Sequence, residues 1–141
     1  MQTFLPHPNY SASAASIDTR RLQKQIVECQ QLLNALLNPE AKGWRNHPAA
    51  IMWRGHEASL ADYAEACYAE WKKRGYGPNH KSILKIRELI AQHNLQDRQK
   101  PTWLGREDFH ASHRGNLLRK DFEYYSAQGW TEDPNLEYIW P

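Results

Sequence analysis

The sequence has few cysteines and no long apolar run. Cys29 and Cys67 are its only cysteines, and each lies in an apolar row of helical spacing, which predicts buried thiols in a reducing compartment and argues against a disulfide framework. No stretch approaches the roughly 20 apolar residues of a membrane helix, and the N-terminus lacks the basic-then-apolar order of a signal peptide. We therefore predict a soluble, cytoplasmic protein without a membrane partner.

An excess of charge of one sign is also missing. Lysine and arginine number 18 against 16 acidic residues, with seven histidines. This excess is too small to predict nucleic-acid binding by itself, so any basic surface has to come from clustering. With 141 residues the chain is long enough for one hydrophobic core and too short for two, which predicts a single domain over residues 1–141.

Helical periodicity, in contrast, is abundant. Ser16 or Asp18 can cap a first helix that runs to about Leu37 and that Asn38-Pro39 stops. One face of this helix is apolar. Its members are Leu22, Ile26, Cys29, Leu33 and Leu36.

Further helices follow the first. Pro48 suits the first turn of a second helix that ends with the cations and glycine of residues 72–75, and Gly55 kinks or splits it. Residues 82–93 and 106–118 repeat the helical pattern, whereas the last twenty residues are aromatic without periodicity. The pattern predicts an all-α, compact domain of three to four helices with a long irregular aromatic-rich C-terminal tail.

A polar stripe flanks the apolar face of the first helix. Arg21, Gln25 and Glu28 are spaced i, i+4 and i+7 and share one side. A carboxylate at the edge of a core is partly desolvated, which raises its pKa toward a range useful for acid–base catalysis. The alternative is a surface glutamate paired with a neighbouring arginine.

Other residues carry two interpretations each. Lys24 is either a Schiff-base amine or a solvated lysine, and His56 is either a core histidine or a functional one. His110 and His113, spaced i and i+3, can share a ligand or bind a metal. Since there is no second ligand pair of clear spacing, we predict no metal and no cofactor.

Basic residues recur in three separate clusters with Trp44, Trp53 and Trp103 between them. They suit a phosphate-binding surface with aromatic platforms for exposed bases, or else ordinary solubility charge with core aromatics. The candidate DNA-binding residues are Arg20, Arg21, Lys24, Gln25, His47, Arg54, His56, His113, Arg114, Arg119 and Lys120.

Several short motifs occur in an order that points to a known family. They are Arg21-Leu22 with Ile26-Val27-Glu28, Asn46-His47-Pro48, Tyr68-Ala-Glu-Trp-Lys-Lys-Arg-Gly75-Tyr76, His110-Ala-Ser112 and Asn116-Leu-Leu-Arg119-Lys-Asp121. In this order they resemble the pyrimidine-dimer DNA glycosylase/AP-lyase family, the endonuclease V type of T-even phages. The Met1-Gln-Thr3-Phe-Leu-Pro6 start and the Tyr138-Ile-Trp140-Pro141 ending resemble a divergent bacterial and phage branch of it.

The resemblance implies a mechanism and a substrate. In that family an N-terminal α-amine attacks the sugar C1′ to form an imine, and a glutamate on the first helix supports the glycosylase and lyase steps. By residue order Glu28 takes the glutamate's place. Because Gln2 is too bulky for removal of the initiator methionine, we expect Met1 to supply the amine, one residue away from the family's pattern. The expected partner is double-stranded DNA with a damaged or modified pyrimidine.

Two further interpretations stay open. The first is a DNA-binding protein of the same fold that has lost lyase chemistry. The second is a glycosylase-like enzyme that acts on a free nucleotide or nucleoside, in which Glu28 works with His47 or His56 and no imine forms. No obligate protein partner is predicted in any of these cases.

Overall fold

The computed structural model describes residues 1–41, 43–96 and 98–141. Its regular secondary structure over these residues is entirely helical, which confirms the all-α class. A short 3-10 turn spans Trp44–Asn46. The helices are α1 (Tyr10–Ser16), α2 (Thr19–Leu37), α3 (Pro48–Trp53), α4 (Glu57–Lys73), α5 (Lys81–Gln92), α6 (Glu107–Lys120) and α7 (Phe122–Ser126). Four of these helices, α2, α4, α5 and α6, have twelve residues or more, and the sequence analysis anticipated these four.

The helix boundaries follow from local chemistry. The Asp18 side chain accepts a hydrogen bond from the Arg21 N–H and so caps α2, and α2 ends at Leu37 as predicted. The predicted second helix is divided into α3 and α4 at Gly55, whose φ of 86° lies in the left-handed region. A right-handed helix cannot continue through a residue in that conformation, and glycine adopts it without strain. The helix therefore ends before Gly55 and a new one begins after it. The short helices α1 and α7 were not predicted; Asn9 caps α1, and Asp121 caps α7 at the start of the tail that was predicted to be irregular.

The core forms where α2 packs against α4 and α5 and where α1 packs against α4. Leu22, Ile26, Cys29 and Leu33 of the predicted apolar row are fully buried, and Leu36 packs at the edge. Both cysteines are free and buried, in agreement with the prediction of buried thiols. None of the described helices combines the length and the hydropathy needed to cross a bilayer.

The N-terminal segment, residues 1–6, is irregular but runs into the core, with Gln2 to Pro6 buried. Leu5 is held from both sides of its peptide unit by α6. Its N–H donates to Nδ1 of His113 at 2.9 Å, and its carbonyl accepts from Nδ1 of His110 at 2.7 Å. Nε2 of His110 accepts the Gly105 N–H, so the proton of this ring is on Nδ1. The two histidines therefore share the backbone of Leu5 as their hydrogen-bond partner.

This arrangement corrects the assignment of His113 to the DNA-binding surface. Its side chain is 1% exposed, and burial lowers its pKa to about 3. A neutral imidazole inside the core has no surface for a phosphate, and its nitrogen is already used by Leu5. His113 is thus a packing residue.

The C-terminal tail, residues 127–141, lies along α6. Asn116 donates to the Leu136 carbonyl at 2.9 Å, and the Ile139 N–H donates to the Ser112 hydroxyl at 3.2 Å. A Cβ at Gly115 would lie 2.6 Å from the Asp133 carbonyl oxygen, so only glycine permits this close approach. The packing brings the end of the tail beside the N-terminal segment.

Candidate active site

An open cavity of about 880 Å³ lies where the N-terminal segment meets α2. Most of the predicted site residues line it. They are Met1, Arg20, Arg21, Lys24, Gln25, Glu28, His47 and Lys120.

The Glu28 carboxylate lies next to the chain end. Its Oε2 accepts the Gln2 N–H at 3.0 Å and a longer contact from Nε2 of Gln25 at 3.4 Å. Standard covalent geometry keeps the α-nitrogen of Met1 within about 3.7 Å of the Gln2 nitrogen, and therefore within about 7 Å of Oε2. In the described part of the chain, Oε1 of Glu28 has no hydrogen-bond partner. One oxygen holds the N-terminal segment and the other remains available.

The environment of Glu28 raises the pKa of its carboxyl group. Burial is the main cause, because it disfavours the ionised form. The hydrogen bond from Gln2, the charge of the N-terminal amine and the nearby Lys24 and Lys120 oppose this effect without cancelling it. The carboxyl group is thus closer to exchanging a proton at neutral pH than an ordinary glutamate.

Gln25 holds the N-terminal segment against α2. Its amide is buried and accepts the Phe4 N–H at 2.7 Å and the Tyr63 hydroxyl at 2.7 Å. Its Nε2 donates to the Gln2 carbonyl at 2.9 Å. Because the protein itself uses this amide, Gln25 positions the N-terminal segment and offers nothing to DNA in this structure, contrary to its predicted role.

Cations surround the cavity. Arg20, Arg21 and Lys24 come from the first two turns of α2, and Lys120 comes from the last turn of α6. Burial lowers the pKa of the Lys120 ammonium, and the nearby Arg21 and Arg119 lower it further. Arg119 does not line the cavity; the residue is exposed, and its guanidinium donates a hydrogen bond to Oδ1 of Asn116. The cluster gives this side of the molecule the positive charge that its overall composition lacks.

An aromatic group borders the other side of the cavity. Trp44 is 49% exposed and Trp140 is 39% exposed, and their rings lie 5.3 Å and 6.0 Å from the ring of His47. Tyr138 and Trp140 line the cavity, whereas Trp44 contacts the lining residue His47 without being part of the lining itself. Tyr138 and Trp140 were not predicted as site residues, and only the Tyr-Ile-Trp-Pro ending marks them in the sequence.

Two of the tryptophans proposed as platforms are core residues instead. Trp53 and Trp103 are buried and donate from Nε1 to the Thr3 hydroxyl and the Met52 carbonyl, both at 3.0 Å. Their indole rings meet edge to face with centroids 4.9 Å apart. They stabilise the core around the N-terminal segment and leave Trp44 as the exposed platform.

The remaining candidates lie outside the cavity. Arg54 donates to the Arg45 carbonyl at 2.6 Å on the surface, and His56 occupies the N-cap position of α4 without a capping hydrogen bond from its side chain. Arg114 is largely buried; it pairs with Glu107 and Glu132 and donates to the Pro6 carbonyl at 2.7 Å. Arg114 therefore holds the N-terminal segment, and neither it nor His56 faces the site.

The family model that matches is described as pyrimidine dimer DNA glycosylase, and it covers residues 1–84, more than half of the chain. The chain therefore belongs to the pyrimidine dimer DNA glycosylase family. No curated protein and no solved structure gives a significant match.

Proposed function

We propose that this protein is a DNA glycosylase and AP lyase that acts on damaged or modified pyrimidines in double-stranded DNA. The observation that carries the proposal is the presence of the Met1 α-amine and the Glu28 carboxyl group in one cationic cavity. The N-terminal segment, α2, the start of α3, α6 and the tail all contribute to the site, which supports treating residues 1–141 as a single domain.

The proposed reaction uses the amine as the nucleophile. The neutral nitrogen of Met1 bonds to C1′, the C1′–N1 bond breaks, and its electron pair leaves with the base. The nitrogen then loses one proton, its lone pair opens the sugar ring, O4′ takes up a proton, and a protonated imine remains at C1′. Loss of a proton from C2′ then expels the 3′ phosphate.

Glu28 is suited to both proton transfers. Protonated, it donates to O4′ when the ring opens; ionised, it accepts the proton from C2′. Its raised pKa makes both forms accessible near neutral pH, and the unpartnered Oε1 is the oxygen free to act. The same carboxyl group therefore serves as acid and then as base.

The surroundings of the cavity support DNA as the ligand. Arg20, Arg21, Lys24 and Lys120 provide cations for phosphates on two sides of the site. Bringing a base out of the duplex costs a few kcal/mol, and the exposed rings of Trp44 and Trp140 offer it a stacking surface.

Borohydride trapping on a duplex with one abasic site tests this proposal. Reduction should fix the wild-type protein to the DNA, and the adduct should be on the tryptic peptide that begins at Met1. Lys24→Ala is the matched control, because Lys24 is a second primary amine that lines the cavity; at saturating protein it should still form the adduct, even though it binds the duplex more weakly. A wild-type protein without an adduct would overturn the imine mechanism.

A DNA-binding protein that lacks lyase chemistry is the second candidate. It is favoured by the fact that Glu28 already accepts hydrogen bonds from Gln2 and Gln25, as a purely structural anchor would. Duplex binding with a steep salt dependence but no trapping would select it. A flat salt response would favour a nucleotide-directed enzyme instead, with Glu28 and His47 as its residues.

A further inference from the structure

Two histidines begin helices in the same way. His47 precedes α3, and its Nδ1 accepts the Ala49 N–H at 3.1 Å. His80 precedes α5, and its Nδ1 accepts the Ser82 N–H at 3.2 Å. Each ring also contacts a tryptophan edge to face, Trp44 for His47 and Trp71 for His80. Capping alone therefore explains Nδ1 in both cases.

The two differ in where the rest of the ring lies. His47 lines the cavity with Met1 and Glu28, and His80 does not. In the described part of the chain, Nε2 of His47 has no hydrogen-bond partner. Since Nδ1 is an acceptor, the neutral ring carries its proton on Nε2. His47 thus brings an unused N–H donor to the cavity.

The surroundings of His47 keep the ring neutral. Burial lowers its pKa, and the positive charge of the N-terminal amine lowers it further. A neutral imidazole is a weak partner for a phosphate but a good donor to a carbonyl oxygen. The rings of Trp44 and Trp140 beside it also suit the plane of a base better than a phosphate.

We propose that His47 donates a hydrogen bond from Nε2 to the exocyclic carbonyl oxygen of the departing pyrimidine. This inference rests on the function proposed above. When the C1′–N1 bond breaks, its electron pair passes to the base and negative charge develops on N1 and on the adjacent carbonyl oxygen. His47 keeps its proton throughout and stabilises that charge, as a fixed donor does for a developing oxyanion.

His47→Asn tests the proposal with the cap preserved. Asparagine is a strong N-cap residue, so its Oδ1 can accept the Ala49 N–H, while the shorter side chain leaves no group at the position of Nε2. His80→Asn is the matched control, because it makes the same change at the cap outside the cavity. Thermal unfolding of both variants should stay near that of wild type.

The readout compares two substrates under single-turnover conditions. On a duplex with one pyrimidine dimer, His47→Asn should slow cleavage of the glycosidic bond by about 10²- to 10³-fold, on the order of the loss of one oxyanion donor. On a duplex with a preformed abasic site it should cleave and trap within about twofold of wild type, because no base departs there. His80→Asn should change neither rate.

Several outcomes would overturn the proposal. An equal loss on both substrates would make His47 a general support of the site, and no loss on either would leave it as a cap. Failure of wild type to trap would contradict the imine and not this inference, because cleavage of the glycosidic bond at the dimer still reports on His47. A wild-type protein that leaves this bond intact would contradict both proposals.

Discussion

Two helices hold the N-terminal segment from opposite sides, and they do so with different chemistry. On α6, the imidazoles of His110 and His113 bind the backbone of Leu5, and both are fully buried. On α2, Gln25 and Glu28 bind the backbone of residues 2 and 4 at the wall of an open cavity. Both helices hold the same stretch of backbone. Helix α6 does so with neutral imidazole rings in the core, and α2 does so with an amide and an ionisable carboxyl group at the cavity wall.

Within a single side chain, one atom can hold the fold together while another remains available for a substrate. Both nitrogens of His110 are used by the protein, so nothing remains for a substrate. Glu28 uses Oε2 for the Gln2 N–H and keeps Oε1 free. His47 follows the same rule on α3, with Nδ1 used for the cap. Residues with one group fixed and one group free are the ones we expect to act on substrate.

The largest effect should come from Glu28→Gln. Glutamine keeps an oxygen to accept the Gln2 N–H but can neither gain nor lose a proton. The rates of glycosidic-bond cleavage and of lyase cleavage should therefore fall by about 10²- to 10⁴-fold. Single-turnover rates on dimer and abasic duplexes measure this. Glu65→Gln is the control, because Glu65 pairs with Arg87 on the exposed surface, and it should keep the full rate. Undiminished activity in Glu28→Gln would contradict the catalytic role proposed for Glu28.

The α6 side should instead affect stability. His113→Ala removes the acceptor of the buried Leu5 N–H and leaves a cavity, which should lower the free energy of unfolding by about 2 to 4 kcal/mol in urea titrations. His113→Asn, which offers Oδ1 as an acceptor, should recover part of that loss. The folded fraction of either variant should keep the wild-type rate. A loss of rate greater than the unfolded fraction explains would show that His113 also contributes to activity.

The cations of α2 should contribute to binding alone. Lys24→Ala should weaken duplex affinity and make the slope of log K against log salt concentration shallower by about one, as expected for the loss of one phosphate contact. Lys85→Ala, on the exposed face of α5, is the charge-matched control. Equal effects of the two variants would mean that the cavity side is not where DNA binds.

The smallest effect at neutral pH concerns stability, and its dependence on pH has opposite sign on the two sides. His113 has a pKa of about 3 when folded and an ordinary 6.5 otherwise. The unfolded chain therefore takes up a proton first, and stability should fall as the pH drops from about 6.5 toward 3. Folding raises the pKa of Glu28 and therefore favours its protonated form. The stability that this gives is fully present below the ordinary pKa of glutamate and is lost as the pH rises through the raised pKa.

Glu28→Gln should therefore be more stable than wild type at neutral pH, by roughly 0.5 kcal/mol, and the gain should vanish below the ordinary pKa of glutamate. Urea titrations at several pH values measure it. Lower stability of Glu28→Gln at neutral pH would show that the ionised carboxylate helps the fold, which would place Glu28 with the α6 histidines.

The parts of the molecule that were predictable are those set by neighbouring residues. The bounds of α2 follow from Asp18 and Asn38-Pro39, and the joint position of Arg21 and Glu28 follows from helical spacing alone. The role of His113 does not, because its partner is the backbone of Leu5, 108 positions away. No side-chain pattern marks a peptide group as a ligand.

Exposure was harder to predict than helicity for the same reason. Trp53 and Trp44 look alike in the sequence, but Trp53 is buried among Thr3, Tyr63 and Trp103, whereas Trp44 stays exposed. Arg114 was similarly assigned to DNA by its charge, although the Pro6 carbonyl of the N-terminal segment and two carboxylates occupy it. Long-range packing decides which members of a residue class reach the site.

The burial of residues 2–6 has a kinetic consequence for the amine at the chain end. Chain ends are usually the most mobile part of a domain, yet here Gln2 is held through both its N–H and its carbonyl. In the proposed mechanism this anchor confines the nitrogen of Met1 to a volume of a few ångströms beside the cavity, which is equivalent to a very high local concentration of nucleophile. The amide of Leu5 should then exchange with solvent only when the whole domain unfolds, because the N-terminal segment and the core share one cooperative unit.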